Sequence, residues 1–242
     1  LGDVYKRQDI HSNLEALNAV LVSLKKENPD EIICLGDIVG YGANPNECVE
    51  IISQIAKKVV AGNHDYGAVY MTDLDEFTDI AREACEWTAK KLDKKNKEYL
   101  ANLPLTLKID DMILTHSAPS DPPRWKYILK VKEAYYEFDT FKEKICLIGH
   151  THVPVIFYKK NNDYGFEVNY KIELHNSVRY LINPGSVGQP RDFDPRASFA
   201  ILDTDENLFK VIRVEYDIHT AQRKIIDAGL PLVLAYRLRE GR

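Results

Sequence analysis

The chain has 242 residues, 45% of them hydrophobic, and 32 basic against 37 acidic side chains give it a net charge of −5. That length and apolar content suit one α/β domain with a substantial core. No Lys/Arg block forms a stripe for a polyanion, which argues against nucleic acid as a partner but leaves a small phosphorylated molecule open. No stretch reaches the roughly eighteen apolar residues of a membrane helix, and the start does not resemble a signal peptide. The four cysteines, Cys34, Cys48, Cys85 and Cys146, lack C-x-x-C pairing and read as reduced, so the expectation is a cytoplasmic protein with no membrane partner.

In chain order, Ser12 and Glu15 read as a capping box opening a helix whose apolar face is Leu14, Leu17, Val20, Leu21 and Leu24, ended by Asn28-Pro29. Ile32–Leu35 is a short apolar run of the kind a strand shows when both faces are covered. The pattern repeats, with a helix over 46–58 and a strand over 59–61 that Gly62 ends, as in βαβ units. Residues 73–102 are charged and helical, 112–114 form a strand leading to His116, and 122–144 are a Pro-started, helical excursion. Residues 146–148 are another buried strand. Strands over 155–158, 167–174 and 180–182, a hairpin over 197–202 and 209–216, and a closing helix from Asp217 interrupted at 228–231 complete the reading.

Five of the seven histidines fall in or between four motifs: Asp9-Ile10-His11, Gly36-Asp37, Gly62-Asn63-His64-Asp65 and Gly149-His150-Thr151-His152, with His116 between the last two. On a strand, Asp9 and His11 point to one side and can grip one ion. Asp37 after an apolar strand lies at the sheet's carboxyl edge, where ligands bind in open α/β sheets, and its two oxygens can bridge two cations. Asn63 offers an amide oxygen, His64 an imidazole and Asp65 an acid able to orient that imidazole. His150 and His152 put imidazoles on alternate positions, one for each ion of a pair. Hard carboxylate, amide and imidazole ligands converging this way suit divalent metals that activate water at phosphorus. Ser117 and Ser120 have no adjacent base, so serine nucleophile chemistry is unsupported, and His175 and His219 read as surface residues.

This ordered set resembles the calcineurin-like metallophosphoesterase superfamily, and Gly36–Gly42, Asn183–Arg191 and Gly229-Leu230-Pro231 look like its small prokaryotic phosphodiesterase branch. The resemblance implies a four-layer α/β/β/α sandwich of two mixed sheets with a binuclear metal centre. One metal would be held by Asp9, His11, Asp37 and His152, the other by Asp37, Asn63, His116 and His150, with Mn²⁺ first and Fe, Ni²⁺ or Zn²⁺ as alternatives. His64 would be the general acid, or stabilise transition-state charge, with Asp65 holding its tautomer and orientation. Arg191 is a candidate contact for substrate phosphate, with plain surface placement as its alternative. Arg124 beside Trp125 reads as a surface arginine. The implied function is metal-dependent hydrolysis of a small nucleotide-type phosphodiester. Phosphomonoesterase, dinucleoside polyphosphate hydrolase, a catalytically idle binding scaffold and a homo-oligomer stay open.

One single domain over 1–242 is expected, with excursions 66–102 and 119–144 capping the site. Residues 1–8 depart from the family: Leu1-Gly2-Asp3-Val4-Tyr5-Lys6-Arg7-Gln8 stands where an apolar central strand belongs, and would force Lys6, Arg7 or Gln8 into the core. They read as non-native junction sequence.

Overall fold

The computed structural model describes the backbone of residues 4–7 and the whole of residues 9–242. The chain runs β1 (Val4–Arg7), α1 (Leu14–Glu27), β2 (Glu31–Cys34), α2 (Pro45–Ile55), β3 (Lys58–Val59), α3 (Asn63–Ala68), α4 (Asp79–Lys91), α5 (Lys94–Ala101), β4 (Thr106–Ile109) and β5 (Met112–Thr115). It continues with α6 (Val131–Glu137), β6 (Ile145–Leu147), β7 (Val155–Lys160), β8 (Asp163–Glu167), β9 (Lys171–Glu173), β10 (Arg179–Asn183), β11 (Ala197–Asp203), β12 (Leu208–Val214), α7 (Ile218–Asp227) and α8 (Leu232–Glu240).

The strands form two mixed sheets, ordered β3-β2-β1-β11-β12-β9 and β4-β5-β6-β10-β7-β8. β1, β2 and β3 are parallel in the first, as are β5, β6 and β10 in the second, so each sheet presents a row of carboxyl ends. Three layers of apolar packing order the elements. Ile33, Leu35, Ala200, Leu202 and Phe209 of the first sheet meet Leu114, Leu147, Ile156 and Ile182 of the second. The opposite face of the first sheet, through Cys34, Val59 and Phe199, packs on Leu17, Val20, Val49 and Ile52 of α1 and α2. Ile113, Cys146 and Leu181 on the outer face of the second sheet pack on Ala134 and Phe138 of α6. Strands covered on both faces carry near-continuous apolar runs, which is why β2, β5 and β6 were visible as such.

Several expectations are corrected. Asn13, not Ser12, caps α1: its side chain accepts from the Ala16 N–H, and its amide donates to the Gly188 carbonyl at 2.9 Å. The expected strand 167–174 is two strands in different sheets, β8 hydrogen-bonded to β7 and β9 to β12, because the chain crosses between layers after Glu167. β4 pairs with β5 across Asp110-Asp111 and was not foreseen, since Lys108 interrupts its apolar pattern. Residues 122–144 hold only a short 3-10 turn at Pro122–Arg124 and α6, because Trp125 turns left-handed with φ 51 and stops helix growth. The 73–102 helix is interrupted where Leu92 becomes extended and Asp93 caps α5.

β1 occupies the centre of its sheet, paired in parallel with β2 and antiparallel with β11. The expectations for Leu1–Asp3, for Gln8 and for the side chains of Lys6 and Arg7 lie outside the described residues. Among the described residues no helix is long and apolar enough to cross a membrane.

Candidate metal centre

Asp9 follows β1, Asp37 follows β2, Asn63 opens α3 after β3, His116 follows β5, and His150 with His152 follow β6. The motif residues therefore converge from the carboxyl ends of strands in both sheets, where the two rows meet. Strand alternation is not what aligns them. Asp9, His11, Asp37, His150 and His152 have φ of 48°, 50°, 51°, 71° and 62°, all left-handed turns beyond the strand ends. Non-glycine residues held there cost about 1–3 kcal/mol each, with Asn, Asp and His the commonest to adopt the conformation, and such residues cluster at functional sites. The turns brace each other: the Asp9, His11 and Ser12 N–H groups donate to the Gly36, Asp37 and Ile38 carbonyls at 3.1, 2.9 and 2.9 Å. Gly62 is required by contact, because a Cβ there would lie 2.1 Å from Asp37 Oδ1.

Each of the four clustered imidazoles has one ring nitrogen on a backbone carbonyl. His11 Nδ1 lies 3.1 Å from Val39 O, His116 Nδ1 2.7 Å from Leu35 O, His150 Nε2 2.8 Å from Trp125 O and His152 Nδ1 2.6 Å from Gln189 O. A carbonyl only accepts, so each of these nitrogens carries a proton; in His11, His150 and His152 the other nitrogen keeps a lone pair, whereas His116 Nε2 faces the Asp37 carboxylate. The lone pairs meet: His11 Nε2 and His152 Nε2 are 3.0 Å apart. Asp37 Oδ2 lies 3.1 Å from His116 Nε2 and 3.5 Å from His11 Nε2, while Asp37 Oδ1 accepts the His64 N–H at 2.9 Å. Oδ2 is thus the Asp37 oxygen that faces imidazoles of both groups. Ligand atoms of Asp9, His11, Asp37 and His152 lie within 4.8 Å of one another, and so do those of Asp37, His116 and His150.

Burial keeps His11 and His152 well below the ordinary imidazole value and pulls His150 down to about 3, so these rings are neutral and able to ligate. For His116 burial acts the same way, but Asp37 and Asp9 outweigh it and hold the ring at about 9. Burial pushes Asp9 up to about 7, whereas Asp37, despite burial, is held well below the carboxylate range by His116 and His64.

His64 lines the cleft in front of this cluster, but Asp65 does not orient it. Asp65 Oδ1 accepts from the Ile38 and Val39 N–H groups at 2.9 and 3.1 Å, and Oδ2 from Gly62 at 3.0 Å. Asp65 instead ties the Asp37 turn to the Asn63 turn, because three backbone donors surround its buried carboxylate. Asp65→Ala leaves three buried N–H groups unpaired, and should cost at least about 3 kcal/mol. The check is urea unfolding at constant m: an unchanged midpoint would remove Asp65 from this structural role.

The cleft has a volume of about 330 Å³ and is walled by Tyr41, Phe77, Trp125, Tyr127, Arg191 and Arg237 beside Asn63, His64 and His150. Both excursions contribute to it, Phe77 from the first and Trp125 and Tyr127 from the second. Tyr127 stacks on His150 at 4.0 Å between ring centroids, and Trp125 Nε1 donates to Thr72 Oγ1 at 3.0 Å. Arg191 donates to Gln189 Oε1 at 2.8 Å and lies over Tyr41, its charge reaching Asp9 and His152. Arg124 also lines the cleft, mostly exposed and 4.0 Å from Glu76. Arg237 of α8, which makes no ion pair among the described residues, was missed, since nothing near it in sequence connects the C-terminal helix to the motifs. His175 and His219 are exposed, as read.

Oxygen and nitrogen ligands converging at the strand ends of two facing mixed sheets define the class: the metallophosphoesterases. The chain belongs to the calcineurin-like phosphoesterase superfamily, whose domain model matches residues 8–207. It is 44% identical over 239 residues to the uncharacterized protein MJ0912 of Methanocaldococcus jannaschii, covering 97% of this chain and 96% of that one. Among solved structures it is similar to a metallophosphoesterase from Sphaerobacter thermophilus at 39% identity and TM-score 0.87, covering 100% and 99% of the two chains. The hypothetical protein PH1004 from Pyrococcus horikoshii OT3 shares the fold at 22% identity and TM-score 0.82, with coverage of 100% and 99%.

Proposed function

We propose that the protein is a metal-dependent phosphodiesterase acting on a small nucleotide-type phosphodiester. The observation that carries this reading is a set of ligand atoms with no partner outside the cluster: Asp9 Oδ2 and Asn63 Oδ1 are buried without a hydrogen-bond partner, and Asp37 Oδ2 and His116 Nε2 face each other at 3.1 Å. Leaving one such buried atom unpaired costs about 1–3 kcal/mol, and buried oxygens without partners beside two clusters of carboxylate and imidazole ligands fit a pair of hard cations. Asp9, His11, Asp37 and His152 would hold one ion, and Asp37, Asn63, His116 and His150 the other. A donor set of oxygen and imidazole nitrogen without thiolate favours Mn²⁺, with Fe, Ni²⁺ or Zn²⁺ as alternatives. When bound, the ions would supply Lewis-acid polarisation of the phosphoryl group and a water acidic enough to attack it near neutral pH.

The chain's own residues do the rest. His64, at the cleft wall, gives a hydrogen bond to the leaving oxygen, and Arg191 meets a non-bridging phosphoryl oxygen with its guanidinium. Phe77, Trp125 and Tyr127 offer flat surfaces in a cleft of about 330 Å³, which suits the aromatic base of a nucleotide-type diester. Arg191→Ala should raise KM for the diester about tenfold or more, with a smaller change in kcat, as loss of a charge-assisted hydrogen bond predicts. An unchanged KM would return Arg191 to a surface role.

The test of the function is hydrolysis of bis-p-nitrophenyl phosphate beside p-nitrophenyl phosphate, with Mn²⁺, Ni²⁺, Zn²⁺ or a chelator. Metal-dependent turnover that favours the diester and disappears with the chelator is expected. Preference for the monoester would make the protein a phosphomonoesterase. A folded protein that binds no metal and turns over neither ester would be a binding scaffold.

A further inference from the structure

With Asp65 committed to backbone donors, another group must fix the His64 ring. α4 supplies it. Cys85, fully buried, places Sγ 3.4 Å from His64 Nδ1 and 3.8 Å from the His64 carbonyl oxygen. On another flank the ring lies against Gly40, where a Cβ would come 2.5 Å from Nδ1 and 2.8 Å from Cγ. Only glycine leaves that space, and its φ of 97° suits glycine as well. Tyr41 and Phe77 enclose the ring at centroid distances of 4.3 and 5.3 Å. Among the described residues the thiol is the only hydrogen-bond partner of Nδ1. It is itself held tightly, since a Cβ on Gly67 would lie 2.9 Å from Sγ.

We propose that Cys85 is the positioning residue for His64: its S–H donates to Nδ1, which leaves the ring proton on Nε2, the nitrogen free to serve the cleft. A thiol has one hydrogen: we place it on Nδ1, the shorter contact at 3.4 Å, whereas placing it on the His64 carbonyl at 3.8 Å would leave Sγ to accept from Nδ1–H and set the opposite tautomer. Burial raises the Cys85 thiol far above its ordinary value, so it stays a donor. In neutral imidazole one nitrogen donates and the other accepts, so a donor on Nδ1 selects the Nε2–H tautomer, able to give a hydrogen bond to a leaving oxygen. A carboxylate in the same place would accept from Nδ1–H and set the opposite tautomer in the neutral ring. The kinetic half of the test rests on the phosphodiesterase reading, and the spectroscopic half does not.

The experiment is a double-mutant cycle on the metal-loaded full chain, with metal content measured for every variant. Against phosphodiesters with leaving phenols of increasing pKa, Cys85→Ala should lower kcat about five- to tenfold, more for the poorer leaving groups, with KM within about twofold. Cys85→Ser, which restores a donor, should recover most of it. In the His64→Ala background, Cys85→Ala should change kcat by less than about twofold, since the ring it positions is gone. Equal losses in both backgrounds would mark Cys85 as packing only and overturn the proposal. Independently of turnover, long-range ¹H–¹⁵N spectra of the Zn²⁺-loaded protein should show His64 as the Nε2–H tautomer, with the Nδ1–H form gaining population in Cys85→Ala. An Nδ1–H tautomer in the unmodified protein would overturn the proposal. An Nε2–H tautomer that Cys85→Ala disturbs, in a protein with no turnover, would sink the phosphodiesterase reading and leave the positioning role standing.

Discussion

Asp37→Asn should reduce bound metal from two ions per chain to one or fewer and lower diester turnover by about 10³-fold or more, roughly 4 kcal/mol of barrier. The substitution keeps size and shape, so the loss is chemical. Asp37 Oδ1 accepts the His64 N–H at 2.9 Å, while Oδ2 faces His116 Nε2 at 3.1 Å and His11 Nε2 at 3.5 Å. An amide cannot fill both places. With its oxygen on the His64 N–H, its NH₂ points donors at the ligand cluster, and with the amide reversed, two donors face each other. The metal-free variant should be less stable than the metal-free parent, because the ionised carboxylate that His116 holds well below its ordinary range is lost, so metal content and turnover are compared on protein shown to be folded. Two retained ions with turnover within tenfold of the parent would remove Asp37 from the shared position.

His64→Ala should leave both ions in place and lower kcat by about 10²- to 10³-fold for a diester with an alkoxide leaving group, and by much less for one losing p-nitrophenolate. The ring is buried against Gly40, Tyr41, Phe77 and Cys85 and stands edge-on to His11 at 5.0 Å between centroids, but it makes no hydrogen bond to a ligand atom, and Ala keeps the backbone N–H on Asp37 Oδ1. A leaving oxygen that is already a stable anion needs little from a hydrogen-bond donor, which gives the substrate pair its discriminating power. If kcat falls equally for both substrates, the effect lies in positioning and not at the leaving oxygen. If it stays within threefold for both, His64 takes no part.

Residue identity and order in the sequence were enough to pick out the ligand-type side chains and the strands that deliver them. A strand covered on both faces must be apolar throughout, so 32–35, 112–114 and 146–148 are visible without any partner, and a polar motif directly after each one can only sit at a strand end. The tertiary structure decided what those side chains do to one another. The carbonyls that fix the His11, His116, His150 and His152 tautomers stand 28, 81, 25 and 37 residues away in sequence, and no local pattern records which they are. Strand periodicity suggested that Asp9 with His11, and His150 with His152, align by alternation, whereas left-handed turns braced by a neighbouring turn align them. Adjacency suggested Asp65 as the support of His64, yet backbone donors from the Asp37 turn claim it, and Cys85 from a later helix lies against the ring. Arg237 enters the cleft from the far end of the chain. Periodicity and composition record which side chains are buried, because burial acts on each residue singly. Partnership is a property of pairs, and only the packed chain sets which pairs meet.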